Sequence, residues 1–457
     1  MEVMDMGRWK SDNHQSKPCI VTNTETPQKK GNHFYLRKSD HYENSLTYLD
    51  HAATSYPKPY AVGCAMASAL TDAGGNPGRS SHVLSMRAAE LIFHTREHAA
   101  AFFGAAEPEN VLFYPNATYA INTVLHSFGK RNLIKEETAF SKKAEPISDA
   151  QKAHLPHILI SEMEHNAVLR PLYEMEQHGE VVWDVYPVFR GAAEMLSEAE
   201  ILANIKSRIR PETVLVCACH VSNVCAAMLP IDKIGSLCRE MHVPLLVDAS
   251  QSAGIYDIDM QRDHIDYLCT AGHKALLGPA GSGLLLIGEE APRLYSLVQG
   301  GNGVESLRAA MPDFLPEMLE AGTLATPVIA GLDAGMRCLS SIGLECVRGD
   351  SHRLYRRLRE MLLSMRGITV CQPGLETGTT LSFCVDGISC MQVSAFLSEY
   401  GICTRSGFHC APMPHRAFGT EQDGTVRISV GFGNTVQDTE RFYRVMKAGM
   451  HEWGKLF

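Results

Sequence analysis

No apolar stretch in this 457-residue sequence approaches the roughly 20 residues that a bilayer-spanning helix needs; runs such as Gly283-Leu284-Leu285-Leu286-Ile287 are far too short. The first residues carry Arg8 and Lys10 but no apolar core followed by small residues, so no secretory leader is expected and the expected location is cytoplasmic. No block of Lys and Arg stands out and the formal net charge is −9, which argues against nucleic acid as a general partner. Cys-x-x-Cys pairs and cysteine–histidine ladders are also missing, so neither a metal site nor a disulfide framework is expected. The 14 cysteines are instead scattered from Cys19 to Cys410. Many fall in apolar segments, as Cys217 and Cys219 do, where cysteine serves as a small buried hydrophobe. So many unpaired thiols fit a reducing compartment. There are no internal repeats or low-complexity tracts.

What is present is an ordinary globular composition, 45% hydrophobic and 20% charged, in a chain too long for one simple core. Residues 1–45 are polar and aperiodic and read as an N-terminal extension. From 46 to about 325, strand-like runs at 111–114, 157–161, 181–186, 214–219, 243–248, 267–270 and 283–287 alternate with helical patterns near 58–72, 85–103 and after 118. That alternation predicts an α/β large domain with a mostly parallel sheet. One segment, 130–156, is rich in Lys, Glu, Ser and Ala and reads as a solvated excursion. Residues 326–457 begin with two long helices, 326–343 and 346–365. Short strands near 368–370, 380–385, 403 and 426–430 and a last helix from 436 complete a smaller α+β domain.

In an open parallel sheet, ligands bind beyond the carboxyl ends of the strands, and the chemistry-bearing residues cluster there. Pro115-Asn116-Ala117-Thr118 ends a strand and opens a helix, offering free N–H groups and a hydroxyl to a phosphate, although Asn116 or Thr118 would equally serve as an ordinary N-cap. His165 and Asn223 follow two further strands; the first has a ring to stack and the second an amide, and each also has a plainer structural reading. Asp248 closes the apolar run Leu245-Leu246-Val247, where a carboxylate needs a cation or strong donors; a local N-cap role is the alternative. Lys274, in Ala271-Gly272-His273-Lys274, is flanked by glycines and apolar residues that lower an amine's pKa and favour imine formation. A lysine for the imine and an acid for a pyridine nitrogen suit pyridoxal 5'-phosphate (PLP). Downstream, Arg405-Ser406-Gly407-Phe408-His409-Cys410 adds a carboxylate clamp and a thiol.

In order and spacing, these motifs resemble the class V aminotransferase-fold enzymes of the cysteine desulfurase and selenocysteine lyase family, over about residues 46–450. The resemblance rests on 48–55, Asn76-Pro77-Gly78-Arg79-Ser80-Ser81-His82, Glu164-His165-Asn166, 221–224, 248–251, Gly272-His273-Lys274, Glu320-Ala321-Gly322-Thr323 and 405–410. It implies the type I fold of PLP-dependent transferases. Lys274 would then bind the cofactor as an imine, Asp248 would pair with the ring nitrogen, Gln251 and Asn223 would meet the ring hydroxyl, and His165 would stack on the ring. Ala117, Thr118 and His273 would line the phosphate, and Arg405 would grip the substrate carboxylate in two-pronged fashion. Cys410 would take sulfur from cysteine as a persulfide and leave alanine, with His409 or the substrate as proton partner; a free thiol has a pKa of about 8.5, so the partner matters. A homodimer is implied, with Gly300-Gly301-Asn302-Gly303 reaching the neighbour's phosphate, and so is a sulfur-acceptor protein.

This sequence departs from the family pattern at Ala271, Tyr119 and Asn302, so Ser250 or Thr270 becomes a candidate for the phosphate cup. Selenocysteine lyase, cysteine sulfinate desulfinase and class V aminotransferase remain alternatives on the same fold. A non-catalytic sulfur-handling protein is the alternative of a different class.

Overall fold

The computed structural model describes residues 46–78, 81–129, 154–191, 194–371 and 378–454. The polar extension 1–45, nearly all of the excursion 130–156, and Arg79 and Ser80 of the 76–82 motif lie outside the described residues.

A seven-stranded sheet organises the larger part. Its spatial order is Val111–Tyr114, Gly283–Ile287, Tyr267–Ala271, Leu245–Asp248, Thr213–Cys219, His157–Ser161 and Val182–Tyr186. Six strands run one way and Gly283–Ile287 alone runs against its two neighbours, so the sheet is mostly parallel. Its strands are apolar at consecutive positions because both faces are covered. Leu268, Leu284 and Val247 point into one core cluster, whereas Cys269, Leu285 and Leu246 point into the other. Cys217 and Cys269 are wholly apolar core residues, and burial raises both thiols well above their ordinary pKa.

The smaller antiparallel sheet runs Ile368–Cys371, Thr380–Val385, Thr425–Ser429, Arg405–Gly407. Helices Leu344–Leu363, Cys390–Glu399 and Val436–Trp453 cover it through a core that includes Leu358, Phe383, Val393 and Phe442. The segment before the first long helix contributes here too. Thr47–Tyr48 pairs with Ile402–Cys403, Asp50 bridges to Ser429, and Leu49 enters this core. Helix Thr326–Ile342, in turn, packs on helices Tyr60–Asp72 and Val83–Phe103. Chain from both directions thus crosses the junction between the sheets, which is where the candidate site lies.

Candidate active site

At that junction is a cavity of about 220 Å³. Its floor is the carboxyl edge of the large sheet, and Arg405–Gly407 and Thr425–Ser429 of the small sheet contribute to its wall. Ten residues that the sequence singles out line it: Ala117, Thr118, His165, Asn223, Asp248, Gln251, His273, Lys274, Arg405 and Cys410.

Each arrives there for a local reason. Asn116 caps helix Ala117–Ser127, accepting the Tyr119 N–H at 3.1 Å, so its N-cap reading holds and the positive helix end faces the cavity. Gly283 makes that approach possible, because a Cβ there would fall 2.4 Å from the Asn116 carbonyl carbon. His165 caps helix Asn166–Gln177 by accepting the Ala167 N–H at Nδ1, 3.0 Å away. Burial, and next the charge of Lys274, pull its pKa down to about 4, so near neutrality it is an uncharged flat ring with its proton on Nε2. His273 is likewise lowered to about 4 by burial and by Lys274 and Lys58. Its carbonyl oxygen accepts from Lys58 Nζ (2.5 Å), Thr54 Oγ1 (3.0 Å) and Ser55 N (3.1 Å), which fixes the turn carrying Lys274. Gly335 completes the clamp from the far side, since a Cβ would lie 2.5 Å from the Leu276 oxygen.

Burial lowers the Lys274 amine pKa, with Asp248 opposing the shift. Asp248 itself is 7% exposed, and its Oδ1 accepts the Ser250 N–H at 2.9 Å, so one oxygen serves a local turn. Among the described residues no hydrogen bond reaches its Oδ2. Four buried polar atoms of lining residues have no partner among the described residues: Ser250 Oγ, Asn223 Oδ1, His409 Nδ1 and Arg427 Nε; the Asn223 amide nitrogen donates to the His409 carbonyl at 2.6 Å. Unpaired buried polar atoms around a cavity signal a polar occupant. An amine, a carboxylate, a helix N-terminus and unpaired hydroxyl and amide groups are what an aldehyde, a pyridine nitrogen, a phosphate and a phenolic oxygen require. The residues present therefore fit PLP. The cup does differ from the common pattern: Ala271 lines it without a hydroxyl, Thr270 donates to the Ala249 oxygen and is not in the lining, and Ser250 is. Asn302 holds its own loop, donating to the Glu317 oxygen at 2.8 Å and accepting from Val304 N.

Cys410 is exposed at the cavity mouth on a loop with unusual backbone. His409 and Cys410 have φ of 51° and 59°, a left-handed region that costs non-glycine residues energy unless neighbours impose it. The neighbours do impose it. The Cys410 oxygen accepts from Asn166 N at 2.7 Å, the His409 oxygen from Asn223, and Phe408 O from Ala411 N at 3.0 Å. The surroundings of His409 do not favour the proton-partner role that its place beside Cys410 suggests. Its Nε2 pairs with Thr425 Oγ1 at 2.9 Å, and burial beside Arg427 pushes its pKa down to about 2. It therefore holds the loop as a neutral ring and is a poor proton acceptor.

Sequence reasoning missed Arg427, which is 2% exposed and lines the cavity. Its Nη2 donates to Asp50 Oδ1 at 2.9 Å and its Nη1 to the Asn223 oxygen at 3.2 Å, while Nε lacks a partner. The available signal was a charge inside the apolar strand Val426-Arg427-Ile428, where only a paired cation is tolerated. Arg405 is exposed and has no ion pair among the described residues. Arg405 therefore brings an unpaired positive charge to the cavity, whereas Arg427 is largely balanced by Asp50.

Glu164, fully buried, lies beneath the site, accepting from Ser161 Oγ (2.6 Å) and Cys219 N (2.8 Å). Burial pushes its pKa up to about 8. The folded protein then keeps a proton that the unfolded chain releases above about 4.5, so its contribution to stability declines as pH rises from there to about 8. Glu164→Gln keeps the acceptor and removes the titration. Its unfolding free energy from urea titration is expected to match wild type at pH 5 and to exceed it at pH 9 by about a few kcal/mol; an equal decline in both proteins would show that the carboxyl is not held neutral.

The geometry agrees with comparisons to known proteins. The sequence profile described as Aminotransferase class-V matches residues 47–442. The chain belongs to the class V aminotransferase family. It is 30% identical to a probable cysteine desulfurase of Synechocystis over 416 residues, 88% of this chain and 90% of that one. It is also 30% identical to a probable cysteine desulfurase of Mycolicibacterium paratuberculosis over 88% of this chain, but spans only 55% of that protein's length. The apo structure of a cysteine desulfurase from Thermococcus onnurineus superposes with a TM-score of 0.76 at 27% identity, covering 90% of this chain and 96% of that one. The α/β fold is thus that of the PLP-dependent type I enzymes.

Proposed function

We infer that this chain is a PLP-dependent cysteine desulfurase that converts L-cysteine to L-alanine and receives the sulfur as a persulfide on Cys410. The observation that carries this reading is the convergence of Lys274, Asp248 and the rigidly held Cys410 loop on one cavity. The bound cofactor would supply an electron sink that weakens the substrate C–S bond.

The chain's own groups would do the rest. Lys274 holds the cofactor and Asp248 keeps its ring nitrogen protonated. The N-terminus of helix Ala117–Ser127 and Ser250 take the phosphate, with His273 and Thr118 beside it. The neutral His165 ring is suited to stacking, and Asn223 and Gln251 border the ring edge. Arg405 and Arg427 offer two guanidinium groups to the substrate carboxylate. Cys410 Sγ, as thiolate, attacks the substrate sulfur; an S–S bond forms as the C–S bond breaks, and the electron pair remains on the substrate carbon. The surface bordering Gly300-Gly301-Asn302-Gly303, with a second cavity of about 960 Å³ and the exposed Phe93 and Phe314, supports a homodimer. A sulfur-acceptor protein would discharge the persulfide.

Incubating the purified protein with cysteine and a reductant is expected to yield alanine and sulfide in equal amounts. Stable pyridoxamine formation without alanine would instead mark a transaminase. Competition among cysteine, selenocysteine and cysteine sulfinate then fixes the substrate.

A further inference from the structure

Lys274 borders a second space besides the active cavity. This chamber, about 30 Å³, shares only Ala52, Gln251 and Lys274 with the active cavity. Its polar lining is His51, Ser55, Gln251, Lys274, Ser351 and Thr379, while Ile255, Val347 and Phe432 are among its apolar walls. His51 is 7% exposed, and neither ring nitrogen has a hydrogen-bond partner among the described residues. A neutral imidazole has one donor and one acceptor, and leaving each buried and unpaired costs about 1–3 kcal/mol. The ring is nevertheless firmly placed. It meets Tyr48 edge-on with centroids 5.1 Å apart, and a Cβ on Gly431 would fall 2.6 Å from its Nδ1.

We propose that the chamber holds one ordered water bound by His51, and that through this water His51 positions the nitrogen of Lys274. The volume suits a single water, for which about 10–15 Å³ suffices, and the polar lining offers the two to four partners that a buried water needs. Among the described residues the Lys274 amine has no hydrogen-bond acceptor, and a water in this chamber would offer it one. The groups bearing on His51 are Lys58 and Tyr48 beside it and Lys274 across the chamber. Burial and the Lys58 charge hold the ring pKa down to about 4, so near neutral pH it is uncharged and can offer a lone pair to the water. The water in turn accepts from the Lys274 N–H.

The consequence for Lys274 rests on the PLP reading above; the water site does not. The test is a crystal structure of the apo protein, at a resolution that shows ordered waters, together with a pH titration of the visible absorbance of the PLP-loaded protein. A water within hydrogen-bond distance of His51 is expected in the wild type and none in His51→Leu. Because hydrogen bonding favours the protonated imine nitrogen, His51→Leu should move the spectral pKa down by roughly one unit. His51→Asn, which keeps a donor and an acceptor, should restore most of that shift. A dry chamber in the wild type overturns the water site, and an unmoved spectral pKa in His51→Leu overturns the positioning role. A wild-type protein with no imine absorbance defeats the PLP reading instead, and the crystallographic water then decides the site alone.

Discussion

Replacing Lys274 with alanine is expected to abolish turnover, by about four orders of magnitude or more, because in the proposed reaction it is the group that would hold the cofactor. The physical basis is the position of the amine. Burial lowers its pKa and so makes the nucleophilic form accessible, while Asp248 limits that shift. The turn that presents it is clamped by the hydrogen bonds to the His273 oxygen and by helix Thr326–Ile342 at Gly335. Lys274→Ala should therefore fold, since it removes a poorly solvated amine rather than a packing group. It should show no imine absorbance, and borohydride should fix no cofactor to the chain. Undiminished covalent retention in the variant would place the imine on another lysine and dismantle the site as drawn.

The second large effect is expected at Cys410. Cys410→Ala should retain cofactor absorbance and thermal stability, because the side chain is exposed and touches no core cluster. Alanine formation from cysteine should nevertheless fall on the order of a thousandfold, because among the described residues no other exposed thiol lines the cavity. The neighbouring thiols make the contrast plain. Cys219 also lines the cavity, but burial raises its pKa well above the ordinary value, so it has little thiolate to offer. Equal rates in variant and wild type would mean that sulfur leaves without a protein acceptor. The left-handed backbone at 409 and 410 adds a further requirement: the loop must stay tied to Asn166 and Asn223 for the thiol to face the cavity.

Much of this site is legible in the sequence because the sheet is. Strands buried on both faces leave continuous apolar runs, and the residue ending each run marks an edge where ligands bind. Asp248 and His165 fall into place on that rule alone, and Lys274 through its Gly-His context. What escapes is whatever depends on contacts distant in sequence. Arg427 becomes a site residue only when Asp50, 377 positions away, neutralises it across the junction of the two sheets. His51 looks like one polar residue in a turn until the fold buries it. His409 reads as a proton partner from its neighbour in sequence, whereas its real partner is Thr425 on the adjoining strand. Helix Asn166–Gln177 is hard to read because Pro171 interrupts its pattern, yet the His165 cap and packing through Val168 and Leu172 sustain it.

The most direct test of the central claim is the mass of the Cys410 peptide after brief incubation of the PLP-loaded protein with cysteine. One added sulfur atom at Cys410, removed by a thiol reductant and matched by alanine released, is the expected result. An unmodified Cys410 peptide, while alanine and sulfide accumulate at the normal rate, would contradict it.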